Sequence, residues 1–410
     1  MTALLDGAKT VFLFPGVGAQ QAGMFSGLCG FAEYRAHFEQ ASEACGLDLW
    51  RALYGETGTQ LANVRIAQLC LTTASVAVAA VLRERCGVVP DFVMGHSLGQ
   101  LPALCAAGYL DFARTIEIVD LRAQAVTEVA GRIDHGEMCW VLHVPSVEVE
   151  RLLAQARQED GLELYLSAVD APDQASISGT MAQIRRFAPR IEAIGGLVYP
   201  LRIGGPFHSP LMAAARTALA ERIGALPVAR HDAILAQAVC NVSGGILAPA
   251  DVRKAVLDQL VSPVRWLDGL RTLSAAGASA YLELSPKTVL GYLNERAGVA
   301  MRPLCAPDAL VDLINELDGP VPRSLRMVRR VLRLLYGMPL PVLAVETVAQ
   351  LQAVRGEVAA HLQARPPERA DVAMLYSAAC RWLDLLESAS SAATAGERAR
   401  LRHLYTVARQ

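Results

Sequence analysis

The sequence predicts an α/β protein built on a parallel sheet, with a smaller unit inserted into it and a helical extension at its end. Three observations carry this. From residue 11, short apolar runs that end in glycine-rich turns alternate with helical patterns. Between 136 and 203 the rhythm becomes strand, helix, two strands, helix, strand, the split β-α-β-β-α-β pattern of a ferredoxin-like unit, after which the α/β alternation resumes. Beyond 318 every stretch reads as helix. The expected division is 1–135 with 204–317 as the main domain, 136–203 as the insertion and 318–410 as the extension.

Composition narrows the classes. The 410 residues are 53% hydrophobic and 19% charged, enough to bury an extensive core. A formal net charge of -2 gives no general attraction to nucleic acid or to an anionic membrane. The 9 cysteines are scattered without C-x-x-C pairs, which suits reduced thiols in the cytoplasm and offers no metal cluster. Met1 to Thr10 carries Asp6 and Lys9 and does not read as a signal peptide. The most apolar run, Leu69 to Leu82, is too short to span a bilayer and is expected to be a buried helix.

Taken in order, Val11 to Phe14 is a strand closed by Pro15-Gly16-Val17-Gly18-Ala19-Gln20. That turn lacks the Gly-Lys-Ser/Thr of a phosphate loop, but a buried strand ending so commonly lines an active site. Helical patterns follow at Phe31 to Ala44 and Ala67 to Glu84. Val88 to Phe92 then leads into Val93-Met94-Gly95-His96-Ser97-Leu98-Gly99, and Gln100 to Ala107 reads as a helix with proline in its first turn. Strand, tight Gly-x-Ser-x-Gly turn and helix together make the nucleophile-elbow context. The pentapeptide alone arises by chance in a chain rich in small residues; its flanks make Ser97 the candidate nucleophile. The glycines permit a sharp bend, and the helix N-terminus supplies free N–H groups where an oxyanion would form. A helix at Phe112 to Val129 carries Asp120 and Arg122.

In the insertion, Met138 to Val144, Leu164 to Val169, Gln174 to Ser178 and Leu197 to Ile203 read as strands. Ser146 to Arg157, with Ser146 as its cap, and Met181 to Ile194 read as helices. The main pattern resumes at Gly204-Gly205-Pro206-Phe207-His208-Ser209-Pro210-Leu211-Met212, where His208 is placed to serve as a general base, although a lone histidine is more often a satisfied core or surface residue. A helix to Leu226, a strand-like run Ala236 to Val239, a helix at Asp251 to Leu260, a turn at Ser262 to Trp266 and a strand at Tyr281 to Leu284 follow. Another helix comes after Ser285-Pro286, and the pattern ends near Leu317. Asp318 to Pro322 looks like a linker. Beyond it, Arg323, Arg326, Arg329, Arg330 and Arg333 are interleaved with apolar residues, as on a solvated helix face or a basic dock for an acidic partner.

These motifs resemble the malonyl-CoA:acyl-carrier-protein transacylases and the acyltransferases of polyketide synthases. The matching stretches are Phe14-Pro15-Gly16-x-Gly18-Ala19-Gln20, Gln68 before Thr73 to Ala77, Gly95-His96-Ser97-Leu98-Gly99, and Arg122. The series continues with Gly205 to Met212, Asn241-Val242, and Gln259-Leu260-x-x-Pro263-Val264-Arg265-Trp266. They run in register from about 11 to 317. The resemblance implies an α/β-hydrolase-like domain with a ferredoxin-like insertion, and a free-standing enzyme that moves a malonyl group from CoA to an acyl carrier protein or polyketide-synthase carrier domain. It implies an acyl-enzyme on Ser97 with His208 as base, and an oxyanion hole from the N–H groups of Val17 and Leu98. It further implies that Gln259, with Asn241, orients the histidine, that Arg122 holds the malonyl carboxylate, and that Gln68 and His96 line the substrate site. No metal or tightly bound cofactor is implied.

Val17 stands where the family usually has glutamine, Gln100 where glutamate is common and Ser285 where glycine is common. The first removes a polar side chain near the acyl group; the others have no reading in the sequence. The runner-up is a carrier-protein-directed acyl hydrolase using the same Ser97 and His208, against which Arg122 argues, since simple acyl chains have no use for a buried cation. A docking subunit without catalysis would take no acyl group on Ser97.

Overall fold

The computed structural model describes residues 8–55, 59–86, 88–227, 233–300, 302–303 and 309–317; the expected extension at 318–410 lies outside the described residues. The strands are β1 Lys9–Phe14, β2 Phe92–Gly95, β3 Gly136–Leu142, β4 Tyr165–Ala171, β5 Gln174–Thr180, β6 Leu197–Pro200, β7 Gln237–Ala238, β8 Ala278–Glu283 and β9 Arg302–Pro303. The first helices are α1 Ala32–Cys45, α2 Leu49–Tyr54, α3 Val64–Cys86, α4 Gln100–Ala106, α5 Phe112–Ala130 and α6 Ser146–Asp160. Then come α7 Met181–Glu192, α8 Ala213–Ile223, α9 Val252–Asp258, α10 Trp266–Ala275, α11 Val289–Arg296 and α12 Ala309–Leu317.

One sheet is parallel, in the order β7-β2-β1-β8-β9. Its centre, β1, is apolar on both sides, as a strand covered on both faces must be. Phe12 and Phe14 point into the core formed with α3, α4 and α5, while Val11 and Leu13 join Trp266, Leu270 and Leu273 on the other face. The register sets Phe14 beside Gly95, so the turns after β1 and β2 leave the sheet side by side.

The second sheet is antiparallel, in the order β4-β5-β3-β6. Strand alternation divides its faces. Cys139, Val141 and Ile177 pack under α6 and α7 against Leu153, Ile184 and Phe187. Met138 and Trp140, on the opposite face, look toward the large sheet across a cavity. A parallel bridge joins the two units: Val169 N–H donates to Val264 O at 2.9 Å, and Val264 N–H donates to Ser167 O at 3.0 Å.

Four readings of the sequence change. Helix α3 has 23 residues and is long and apolar enough to cross a membrane; what accounts for its apolarity is that 83% of its most apolar window is buried inside the molecule, not that it is short. Pro145, not Ser146, occupies the capping position of α6, and Ser146 is its first helical residue. The last strand of the insertion ends at Pro200 rather than Ile203, with one further bond to β3 from Leu201 N–H to Met138 O at 2.9 Å. The expected turn at Ser262 to Trp266 instead contributes Val264 to the bridge and starts α10 at Trp266; inside that helix Gly269 is buried against Met94 of β2.

Candidate active site

The elbow after β2 is shaped by close backbone approach. A Cβ on Gly95 would lie 1.9 Å from Gly99 O, and one on Gly99 would lie 2.2 Å from Phe14 O. Ser97 itself holds φ 53°, a left-handed conformation that a side-chain-bearing residue keeps only when its surroundings enforce it. That conformation turns Oγ into a cavity of about 370 Å³ between the two sheets.

Ser97 Oγ lies 2.7 Å from His208 Nε2, and His208 Nδ1 lies 2.7 Å from the main-chain oxygen of Gln259. A carbonyl only accepts, so Nδ1 carries the proton and Nε2 faces the serine hydroxyl with its lone pair. Burial, reinforced by the Arg122 charge, holds the imidazole pKa down to about 3. His208 is therefore neutral near pH 7, the form in which it accepts a proton. The partner of Nδ1 is a carbonyl, not a carboxylate.

Asn241, expected to help orient the histidine, bonds directly to the elbow: its Oδ1 accepts the Ser97 N–H at 2.9 Å and its Nδ2 donates to Gly95 O at 2.6 Å, which ties together the two arms of the turn. Gln100 Oε1 accepts the Asn241 N–H at 2.8 Å, so the residue that had no reading in the sequence buttresses this clamp. Gln259 serves both partners. Besides its carbonyl on His208, its Nε2 donates to Ser97 O at 2.9 Å and to Asn241 Oδ1 at 3.2 Å.

Arg122 sits midway along α5, 5% exposed, and donates from Nη1 to Gln68 Oε1 on α3 at 2.9 Å. Among the described residues no carboxylate pairs with it, and its Nε has no partner. Burial lowers its pKa to about 10, so it remains a cation at neutral pH. A buried guanidinium answered only by a neutral amide is costly unless an anion joins it. Its charge faces the same cavity as Ser97.

His96 lines the cavity and donates from Nε2 to Asp170 Oδ1 at 2.9 Å, with its ring 5.5 Å from that of Trp266. Asp170 carries no signal in the sequence; it lies 74 residues away on β4, and only the packing of the two sheets brings it here. Val17 lines the cavity, and the turn that bears it is close to the elbow: a Cβ on Gly16 would lie 3.6 Å from Ser97 Cβ. Leu98 follows Ser97 in the turn and is buried. The remaining wall is largely apolar, from Val126, Met138, Trp140, Leu201, Ile203 and Phe207.

Residues 11–310 match the acyl transferase domain family. The malonyl CoA-acyl carrier protein transacylase of Synechocystis sp. is 30% identical over 311 residues, which cover 76% of this chain and 98% of that protein. Among solved structures, the malonyl CoA-acyl carrier protein transacylase of Coxiella burnetii is similar at a TM-score of 0.69 and 27% identity, covering 76% of this chain and 98% of that one. A malonyl-transacylase solved in complex with its type II PKS acyl-carrier protein is similar at a TM-score of 0.67 and 27% identity, covering 75% of this chain and 100% of that one. The chain therefore belongs to the acyl transferase domain family.

Proposed function

We propose that this protein transfers a malonyl group from CoA to the phosphopantetheine thiol of an acyl carrier protein through an acyl-enzyme on Ser97. The observation that carries the reading is Arg122, a buried cation without a carboxylate partner among the described residues, in the same cavity as the Ser97–His208 pair. Such a charge rewards an acyl group with a free carboxylate and penalises a neutral one. It also weighs against the carrier-directed hydrolase.

In the proposed reaction His208 Nε2 takes the Ser97 proton as Oγ bonds to the thioester carbon. The oxyanion is met by the N–H groups of Val17 and Leu98, and the C–S bond then breaks as His208 protonates the departing CoA sulfur. The carrier thiol repeats the steps in reverse order, losing its proton to His208 and returning Oγ–H to Ser97. Carbonyl orientation of His208 suffices, because the imidazolium forms only transiently. The sequence of bonds needs no cofactor beyond the CoA thioester.

The same reading includes finer assignments. The small sheet, with its strands ordered fourth, first, third, second, supports a ferredoxin-like insertion over 136–203, and the nucleophile at the end of a parallel strand supports an α/β-hydrolase-like main domain. Similarity to a malonyl-transacylase bound to a polyketide carrier protein supports a role in polyketide synthesis. The free cysteines Cys29, Cys45, Cys70, Cys86, Cys105, Cys139 and Cys240 suit the cytoplasm.

The test is intact-protein mass spectrometry with malonyl-CoA, followed by a holo carrier protein. A malonyl adduct that forms on the wild type, not on Ser97→Ala, and moves to the carrier is expected. An adduct lost to water in the presence of carrier would favour the hydrolase, and no adduct from any acyl-CoA would end the catalytic reading.

A further inference from the structure

Ser97 and His208 share an uncommon backbone feature. Both hold left-handed torsions, φ 53° and φ 57°, although neither is glycine. In each case the preceding residue is gripped by a buried polar side chain of the small sheet, from its edge strand β4 at Ser97 and from the neighbouring β5 at His208. Asp170 of β4 accepts the His96 Nε2–H at 2.9 Å, and Ser178 of β5 donates from Oγ to Phe207 O at 2.6 Å. Asp170 is itself locked, its other oxygen accepting from Ser176 Oγ at 3.0 Å, and Asp170 and Ser178 are 2% and 0% exposed.

The mechanics follow from which atoms are held. The Phe207 carbonyl belongs to the peptide plane whose rotation is the φ of His208, so the Ser178 bond acts on that torsion directly. Asp170 anchors the His96 side chain, so that residue cannot swing with the peptide plane that precedes Ser97. Each bond opposes relaxation toward a lower-energy right-handed or extended conformation, at Ser97 in addition to the Asn241 bond to its N–H. Relaxation at either residue would part Oγ from Nε2. We propose that Asp170 and Ser178 are positioning residues through which the small sheet holds both halves of the Ser97–His208 pair in register.

The inference rests on the proposed acyl-enzyme, and its test separates the two. The full-length wild type, Asp170→Ala, Asp170→Asn, Ser178→Ala and the Asp170→Ala/Ser178→Ala double variant are mixed with malonyl-CoA, and adduct formation is followed by rapid quench and intact mass. Melting curves accompany each variant. At saturating malonyl-CoA the double variant is expected to acylate about 10²-fold more slowly, the loss typical of an ångström of misplacement, with the half-saturating concentration little changed. Asp170→Asn, whose amide oxygen still accepts from His96, is expected to recover most of the rate. A raised half-saturating concentration at an undiminished maximal rate would make Asp170 a substrate contact and overturn the proposal. Unchanged kinetics in the folded double variant would do the same, as would an Asp170→Asn as slow as Asp170→Ala. Should the double variant fail to fold, the two single variants decide on the same criteria. A wild type that forms no adduct would sink the acyl-enzyme itself.

Discussion

Arg122 carries its charge in a site that supplies it with one amide oxygen, and two opposed expectations follow. Arg122→Ala should lower malonyl transfer by roughly 10²–10³-fold, the effect of deleting one partner of a buried charge pair, while acetyl transfer is largely kept. Equal losses for both donors, measured by steady-state kinetics, would remove its assigned role. Arg122→Met should raise the melting temperature, because an apolar side chain of similar length has no charge to desolvate. His208 gives a third expectation. A base is lost as pH falls through its pKa, and burial with the Arg122 charge has moved that pKa from 6.5 to about 3. The rate of acylation at limiting acyl-CoA should therefore stay level from pH 8 down to about pH 5. In Arg122→Ala, assayed with acetyl-CoA, the acid limb should move upward, though burial, the larger cause, persists. A wild-type inflection near 6.5 would contradict this.

Elements hold these residues through features that propensity scales do not see. Gly99→Ala places a Cβ 2.2 Å from Phe14 O and should abolish acylation, whereas Gly30→Ala, with nothing within 4 Å, should be silent in both activity and melting. The helix α11, which lines the cavity through Val289, Leu290 and Leu293, begins on a buried carboxylate. Glu283 accepts from Val289, Leu290 and Gly291 N–H at 3.1, 2.8 and 3.1 Å. Glu283→Ala strands those donors and should cost about 1–3 kcal/mol in chemical denaturation. Burial raises its pKa from 4.5 to about 7, so its contribution to stability is fullest below 4.5 and fades as pH rises through 7. Glu283→Gln, which keeps an acceptor, should accordingly be tolerated best above pH 7. The elbow was legible at this scale because its glycines, strand and helix are contiguous. Helix α10 was not, although Trp266, Leu267, Leu270 and Leu273 recur at helical spacing; it follows directly on the Ser262–Pro263 turn.

Among the described residues the two sheets are joined by the bridge at Val264, the bond of Asp170 to His96, that of Ser178 to Phe207, the ion pair of Asp173 with Arg296 and the packing of Leu267 into the core of the small sheet. The chain also crosses between them twice, before β3 and after β6. The units should therefore unfold together. Hydrogen exchange under mild denaturant is expected to show β3, β5, β1 and β2 opening with one common free energy. Early opening of β3 and β5 alone would show the small sheet to be independent. Val264→Pro, which deletes the N–H given to Ser167 O, should bring such separation about.

Alone, the sequence determined what depends on neighbours along the chain: the alternation of strands and helices, the bend at Ser97, and a set of motifs whose spacing marks the family. Ser97, His208, Gln68 and Arg122 could be named because each sits in such a motif. Tertiary structure decided what depends on contacts between distant segments. It bonded Asn241 to the elbow backbone and to Gln259, gave Gln100 a partner 141 residues away, and brought Asp170 from the inserted sheet to His96. Local patterning encodes which surface an element buries, but a hydrogen bond across the fold is specified only when the whole core has packed and set the distance between its donor and acceptor.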